Sequence, residues 1–331
     1  MTHRLLRSVQ GQGAAGSIAE WPLLLPDSGV ACCALLLIAG ALGGCRTESS
    51  QPIVEIAPGI AFRRDQKAGI QLLDVDLLEK QVHPMVVAEG VQNREGNYVG
   101  DARTVREWAE RYHAIGGING GFFGDTYDQV GRRKQIVQVA VVDGVVVAPG
   151  SAETAAGTRA RYVRSAIGFL PDGTPDIVWG SGNKKAGPRY RTSPDGAEPS
   201  RPWQVESAVA CGPRLFAAGA RRITEHEEQF NSPQQVARAF VAYDLENGAP
   251  RHLVIGRASA MDFRQLADYI ADYFPLVHHT TPHEAMCLDG GPSAQIVYRD
   301  RTSGDLIDAE PSGVMVPTAI LLVPNGATPK P

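Results

Sequence analysis

The sequence predicts an α+β protein in which strands dominate and only two helices are prominent. Three observations carry this. Apolar residues fall mostly in short Val- and Ile-rich runs of strand length, punctuated by Gly, Pro, Asp and Asn. Only two segments, 104–114 and 262–274, space their apolar residues for one face of a helix. Between Ile53 and Pro324 no stretch is long and polar enough to be a linker, so 53–325 reads as one domain.

In chain order, strands are expected within 69–77 (GIQLLDVDL), 85–90, 136–149, 166–170, 176–179, 206–212, 237–244, 252–256 and 314–323. Val142-Asp143-Gly144-Val145 and Pro171-Asp172-Gly173-Thr174 read as hairpin turns, because Asp-Gly tolerates positive φ. In 104–114, Val105, Trp108, Ala109 and Tyr112 share a face. In 262–274, Phe263, Leu266, Ile270 and Phe274 do the same; Asp262 can cap the start and Pro275 is expected to end the helix. The stretches 149–161 and 180–203 read as long loops; for the second, basic and Gly/Pro-rich, both a lid and a plain surface insertion stay open.

Composition narrows function before any motif is considered. A net charge of −4 over 331 residues lacks the basic excess of a nucleic-acid binder, and 43% hydrophobic residues suit a folded globular chain. The apolar run in 31–45 is too short to span a bilayer of roughly 30 Å. Leu42-Gly43-Gly44-Cys45 resembles the lipobox of bacterial lipoproteins. That resemblance implies a signal peptide over 1–44, lipidation of Cys45, and attachment to a membrane surface at the periplasmic or outer-membrane face of the cell envelope. The alternative is an ordinary secretory signal with an incidental cysteine. Residues 45–52 then form a polar tether, and 326–331 a short tail.

Cys211 and Cys287 are the cysteines beyond Cys45; an oxidising compartment would permit a disulfide, and the spacing leaves that and two buried thiols both open. His278, His279 and His283 beside Glu284 hint at a metal site. Pro282 opposes the helix that would align His279 with His283, and a solvated loop is expected instead. Asp125 and Asp128 could take Ca²⁺ or Mg²⁺ but lack an EF-hand layout; no cofactor is implied, and a divalent cation stays open.

Four segments place a polar group at the edge of an apolar strand: GGINGGFFGD (116–125), ACGPRLF (210–216), ARAF (237–240) and LDGGPS (288–293). Each first helix–strand unit of the chain's two halves leads into a Gly-Gly turn, Asn119-Gly120-Gly121 and then Asp289-Gly290-Gly291, as a degenerate internal repeat would. In this order the segments resemble the phosphodiester glycosidase family, with its N-G-G-F-F, S-G-P-x-L, A-R-T-A and L-D-G-G-G-S-S motifs, over roughly 80–323. Here a bacterial member would carry Cys211 for Ser, Ala239 for Thr, Pro292 for the third Gly and Ala294 for the second Ser.

The resemblance implies a single α+β domain of mixed, largely antiparallel sheets. It also implies hydrolysis of a sugar-1-phosphodiester, GlcNAc-1-phosphodiester-like, with a phosphosugar or surface polysaccharide as substrate. The residue types suit that chemistry. A phosphate leaving group is a weak base and needs little acid assistance, whereas its growing charge needs arginines and backbone N–H groups. On this reading Asp289 is the catalytic carboxylate, as base or nucleophile, and Arg238 and Arg214 hold phosphate. Asn119 and Ser293 fix sugar hydroxyls or phosphate oxygens. Gly120, Gly121, Gly212, Gly290 and Gly291 line the cleft, Asp125 is a reserve carboxylate, and Phe122 stacks on a sugar or joins the core. The alternative is a non-catalytic polysaccharide-binding or exopolysaccharide-export lipoprotein, which the hydroxyls lost at Cys211, Ala239 and Ala294 keep open.

Overall fold

Val- and Ile-rich runs pair antiparallel wherever they meet. The computed structural model describes residues 53–93, 98–150, 163–195, 199–230 and 234–327, so the predicted signal peptide, lipidation site, tether and tail end lie outside the described residues. Every described strand pairing is antiparallel, which agrees with the α+β expectation and its two main helices.

The largest sheet has eight strands in the order Ile53–Ala57, Ile60–Asp65, Ile70–Asp76, Ala249–Met261, Val236–Glu246, Pro282–Cys287, Arg214–Ala217 and Ala220–Arg221. Its centre is buried on both faces: in Ile70–Asp76 only the last residue is not buried. One face packs on the longer helix, α2 (Phe263–His278), through Phe263, Leu266, Ile270 and Phe274, none more than 2% exposed. Burial of each such side chain contributes about 1.5–3 kcal/mol. Asp262 caps α2 in a full capping box with Gln265.

The opposite face meets a seven-stranded sheet containing Arg164–Phe169 and Ser207–Ala210, and a five-stranded sheet containing Gly116–Asn119, Ile296–Arg299 and Ala319–Pro324. Phe62, Leu73, Ile118, Ile167, Val209, Val241 and Ile320 interlock there in the main core. The shorter helix, α1 (Val105–Arg111), rests on the five-stranded sheet, with Val105, Trp108 and Ala109 fully buried and Trp108 Nε1 donating to the Val316 carbonyl at 2.9 Å. A four-stranded sheet, Gly90–Gln92, Tyr98–Asp101, Arg133–Ile136 and Phe123–Thr126, completes the set.

The two Asp-Gly turns form as expected. Asp143 and Gly144 both have positive φ (52° and 72°) between Val139–Val142 and Val145–Pro149, and Gly173 reaches 83°.

Three expectations need correction. Pro275 does not end α2, which runs on to His278. Pro275 is exposed, so its lost backbone bond lies at the solvent face, while Phe274 and His278 anchor the last turn. His278 is accordingly not in a solvated loop. Its Nε2 lies 3.1 Å from Oδ1 of buried Asp74 and its ring stacks at 3.8 Å on His252. The stretch 180–203 is not one long loop: it continues the strand Pro175–Asn183 and adds Gly187–Arg191 and Arg201–Pro202 as edge strands. The stretch 151–162 lies outside the described residues.

Candidate active site

The four motif segments meet, and backbone atoms make the meeting. Asp289 N donates to the Gly120 carbonyl at 3.0 Å, Leu288 N to Ala239 O at 2.8 Å, Gly212 N to Cys287 O at 3.0 Å, and Cys287 N to Pro213 O at 2.9 Å. Residue 120 thus touches 289, residue 212 touches 287, and residue 239 touches 288. The two Gly-Gly turns that follow the helix–strand units lie against each other.

Glycine is required where these segments approach most closely. A Cβ on Gly121 would stand 2.4 Å from the Ala210 carbonyl oxygen, and one on Gly290 would stand 2.7 Å from that of Ala237. These glycines join motif to motif. Gly120 is likewise buried, its N–H donating to Thr318 O, while Gly212 is buried at φ +98°. Gly291, at φ +59°, has open space where a Cβ would project. Of the five glycines expected to line a cleft, Gly291 alone shows that openness.

At the junction sits Asp289, half-buried. Burial raises its pKa to about 6, against hydrogen bonds from Ser293 and the Gly290 backbone and the positive field of Lys134, all of which favour the carboxylate. A carboxyl shifted toward neutrality in this way, beside a Gly-rich turn, suits acid–base or nucleophilic work.

Asn119 is corrected from substrate ligand to strut. It is fully buried; Nδ2 donates to the Asp289 carbonyl at 2.7 Å and Oδ1 accepts from Gln295 N at 3.0 Å. Both ends of its amide hold the 289–295 turn, so it positions Asp289 from behind.

Arg214 is corrected more sharply. It is 6% exposed and forms a buried ion pair with Glu284, also 6% exposed. It also donates to the carbonyls of Phe216 (3.2 Å) and Ile177 (2.8 Å) and lies 4.5 Å over the Trp179 ring. A guanidinium so committed has no fork to offer a phosphate. The carboxylate that captures it is 70 residues further along the chain.

Arg238 remains at the junction. A Cβ on Gly290 would lie 3.9 Å from its Cα, and the electrostatic field of its guanidinium reaches Cys287. It stands 4.1 Å over the Phe263 ring and donates to Met261 O and Gln234 O. Burial lowers its pKa somewhat, with no loss of charge near neutrality.

Sequence reasoning gave no role to Arg164, Phe230 or Glu228. Arg164 lies 3.9 Å over Phe230 and 6.0 Å over Phe122, and it donates to the Glu228 carbonyl. Phe122, Phe230 and Phe263 form a row, with ring centroids 5.6 and 6.2 Å apart. Arg164 and Arg238 thus stand on neighbouring rings of one aromatic row. The one available signal was the parallel between Arg164-Ser165-Ala166 and Arg238-Ala239-Phe240 at the start of two strands. Glu228 is fully buried, accepting from Ser165 N and Oγ, Thr224 Oγ1 and Trp179 Nε1, and it ties the Cys211–Arg214 segment to its neighbours. Asp125 lies on the strand Phe123–Thr126, and its side chain falls outside the described residues.

The two cysteines are free and buried. Cys211 belongs to the main core and Cys287 to the core beneath α2, so their side chains serve opposite faces of the large sheet. Burial pushes the Cys287 thiol up to about 12 and Cys211 well above the ordinary value, the latter against a hydrogen bond from the Phe122 backbone. Ala239 and Ala294, the other positions lacking a motif hydroxyl, are also buried in the main core, whereas Pro292 is exposed.

No curated protein sequence matches the chain. Among solved structures, a hypothetical protein of Synechocystis shares the fold with a TM-score of 0.51 at 14% identity, over 82% of this chain. This chain spans 61% of that one. The catalytic domain of zebrafish N-acetylglucosamine-1-phosphodiester alpha-N-acetylglucosaminidase, auto-inhibited by its pro-peptide, aligns with a TM-score of 0.47 at 18% identity, covering 80% of this chain and 76% of its own. An exported protein of Burkholderia pseudomallei gives 0.46 at 14%, covering 80% and 74%. The family profile for phosphodiester glycosidase matches residues 112–323, from the C-terminal end of α1 through all four motifs to the strand Ala319–Pro324, and the chain belongs to that family.

Proposed function

We propose that this protein hydrolyses a sugar-1-phosphodiester, of the GlcNAc-1-phosphodiester type, to free sugar and a phosphomonoester. The observation that carries the reading is the convergence on Asp289 of all four motifs, with Arg238 and the aromatic row beside it. The bond from the anomeric carbon to the phosphate oxygen breaks, and its electron pair leaves on the phosphomonoester. Water supplies the hydroxyl at the anomeric carbon, and its proton passes to the phosphomonoester or solvent. Asp289 acts ionised, attacking the anomeric carbon or drawing the proton from water. Asn119 and Ser293 orient it, and Arg238 with Arg164 supplies positive charge near the departing phosphate.

Incubation with UDP-GlcNAc and with a GlcNAc-1-phosphate alkyl diester, followed by assay for free GlcNAc, tests the activity. The wild type is expected to release sugar and Asp289→Asn to lose at least a hundredfold in kcat/KM. Near-normal turnover by that variant removes Asp289 from the mechanism. Binding without release by the wild type favours the polysaccharide-binding alternative. That alternative drew on the hydroxyls lost at Cys211, Ala239 and Ala294, and their burial in the core withdraws that support.

The lipobox-like Leu42-Gly43-Gly44-Cys45 supports anchoring of the protein to the cell envelope through Cys45. The substrate would then be a surface polysaccharide or glycolipid carrying sugar-1-phosphate linkages. Fractionation of cells expressing Cys45→Ala is expected to move the protein out of the membrane fraction; unchanged partition refutes the anchor.

A further inference from the structure

Among the described residues Asp289 forms no ion pair, and the cation whose field acts on it belongs to none of the four motifs. That cation is Lys134, on the strand Arg133–Ile136 of the small sheet, half-buried. The neighbouring strand, Phe123–Thr126, begins two residues after Gly121, and Asp289 N donates to the Gly120 carbonyl at 3.0 Å, so Lys134 is paired to the continuation of the turn on which Asp289 rests. The pairing sets Thr126 opposite Lys134, and the ammonium sits 4.2 Å from the Phe123 ring centroid.

Its situation differs from that of the site's arginines. Arg214 is spent on Glu284 and carbonyl oxygens, and Arg238 gives donors to Met261 O and Gln234 O. Among the described residues the Lys134 ammonium makes no hydrogen bond and no ion pair; Asp289 and Asp128 act on it only at longer range. Burial works against its charge, and those two acids work for it. An ammonium with its donors uncommitted, partly stripped of water and resting on an aromatic face, attracts an anion more strongly than a solvated one. Lysine holds phosphate as a compact point charge, with no need for the planar fork that Arg214 has given up.

We propose that Lys134 is a specificity-determining residue that holds the phosphate of the sugar-1-phosphodiester beside Asp289, so that the site takes anionic leaving groups in preference to neutral ones. This rests on the hydrolytic reading above.

The test uses Lys134→Met and Lys134→Arg in the full chain, with UDP-GlcNAc and the uncharged p-nitrophenyl glycoside of the same sugar as substrates. Lys134→Met is expected to lose at least tenfold more kcat/KM on UDP-GlcNAc than on the aryl glycoside, chiefly through KM, while Lys134→Arg recovers most of the loss. Parallel losses on both substrates, or no loss, overturn the proposal. Two measurements need no turnover and separate its failure from that of the hydrolytic reading. Inorganic phosphate is expected to bind the wild type at least fivefold more tightly than Lys134→Met. The Asp289 carboxyl, followed by ¹³C NMR, is expected to titrate at higher pH in Lys134→Met than in the wild type. If no substrate is hydrolysed, changes in both measurements support Lys134 as the anion holder, and equal phosphate binding with an unmoved titration refutes it.

Discussion

Asp289→Asn offers a test in which activity and stability move in opposite directions. Burial holds the Asp289 carboxyl at about 6 rather than 3.8. Between those values the unfolded chain releases a proton that the folded chain retains, so wild-type stability falls as pH rises through that window. At about 1.4 kcal/mol per pH unit, the accumulated loss is about 3 kcal/mol above pH 6, and none of it is present below pH 3.8. Asparagine cannot ionise, and its Oδ1 can still accept from Ser293 and Gly290. Its Nδ2, placed where the second carboxylate oxygen was, gives back part of the gain, leaving about 1–3 kcal/mol. Urea unfolding of wild type and variant at pH 4 and pH 8 measures this. The expected result is a variant no more stable than wild type at pH 4, whose relative stability rises by about 2–3 kcal/mol to exceed wild type at pH 8, with loss of turnover. Equal stabilities at both pH values would refute the claim that the native site holds this carboxylate at a cost. In the wild type, kcat/KM is expected to fall as pH drops through about 6, because the proposed reaction uses the ionised form.

Other outcomes follow from the same geometry. Arg214→Met is expected to destabilise by about 3–5 kcal/mol by leaving Glu284 buried without its partner; the double variant with Glu284→Leu should recover much of it in a denaturation cycle, with kcat/KM of the folded protein near normal throughout. Gly121→Ala, whose Cβ would meet the Ala210 carbonyl at 2.4 Å, should cost about 1–3 kcal/mol and at least tenfold in kcat/KM, because it separates two motifs. Cys211→Ser, measured by turnover, should change kcat/KM less than threefold, and neither Cys211 nor Cys287 should react with a thiol reagent until the protein is unfolded.

What was legible in the sequence were the features that constrain the chain locally. Asp143-Gly144 announces its turn by residue type, and the apolar spacing in 262–274 announces a buried helix face. The motif glycines were legible as places needing a bare backbone, although what approaches Gly121 and Gly290 is another motif. What was hidden depends on distant partners. Nothing near Arg214 discloses that Glu284 will capture it, and a lone arginine at a strand edge reads equally as ligand or as core ion pair. The edge strands of 187–202 are short, polar and proline-bearing, so they lack the alternation by which strands are recognised. Lys134, in the charged run Arg132-Arg133-Lys134, looks like solvated surface until the register with Phe123–Thr126 turns it over an aromatic ring.

The departures from the family motifs take on a different meaning once the junction is seen. Cys211, Ala239 and Ala294 replace hydroxyl residues within one continuous core, and all three are at most 1% exposed. A buried hydroxyl must find a partner, whereas a thiol or methyl in the same place need not. Losing the hydroxyls together therefore makes the packing behind the site drier without altering the polar groups around Asp289. The Ser293 hydroxyl, the Gly290 backbone and the field of Lys134 still act on it, with Asn119 holding the turn from beneath. Differences in substrate between this chain and its relatives should accordingly arise at the less buried Lys134, Gly291 and Pro292, and much less in the motif hydroxyls. Exchanging Pro292 for the family's glycine should shift relative kcat/KM among sugar-1-phosphodiesters more than Ala294→Ser does; the reverse order would return the buried positions to the substrate.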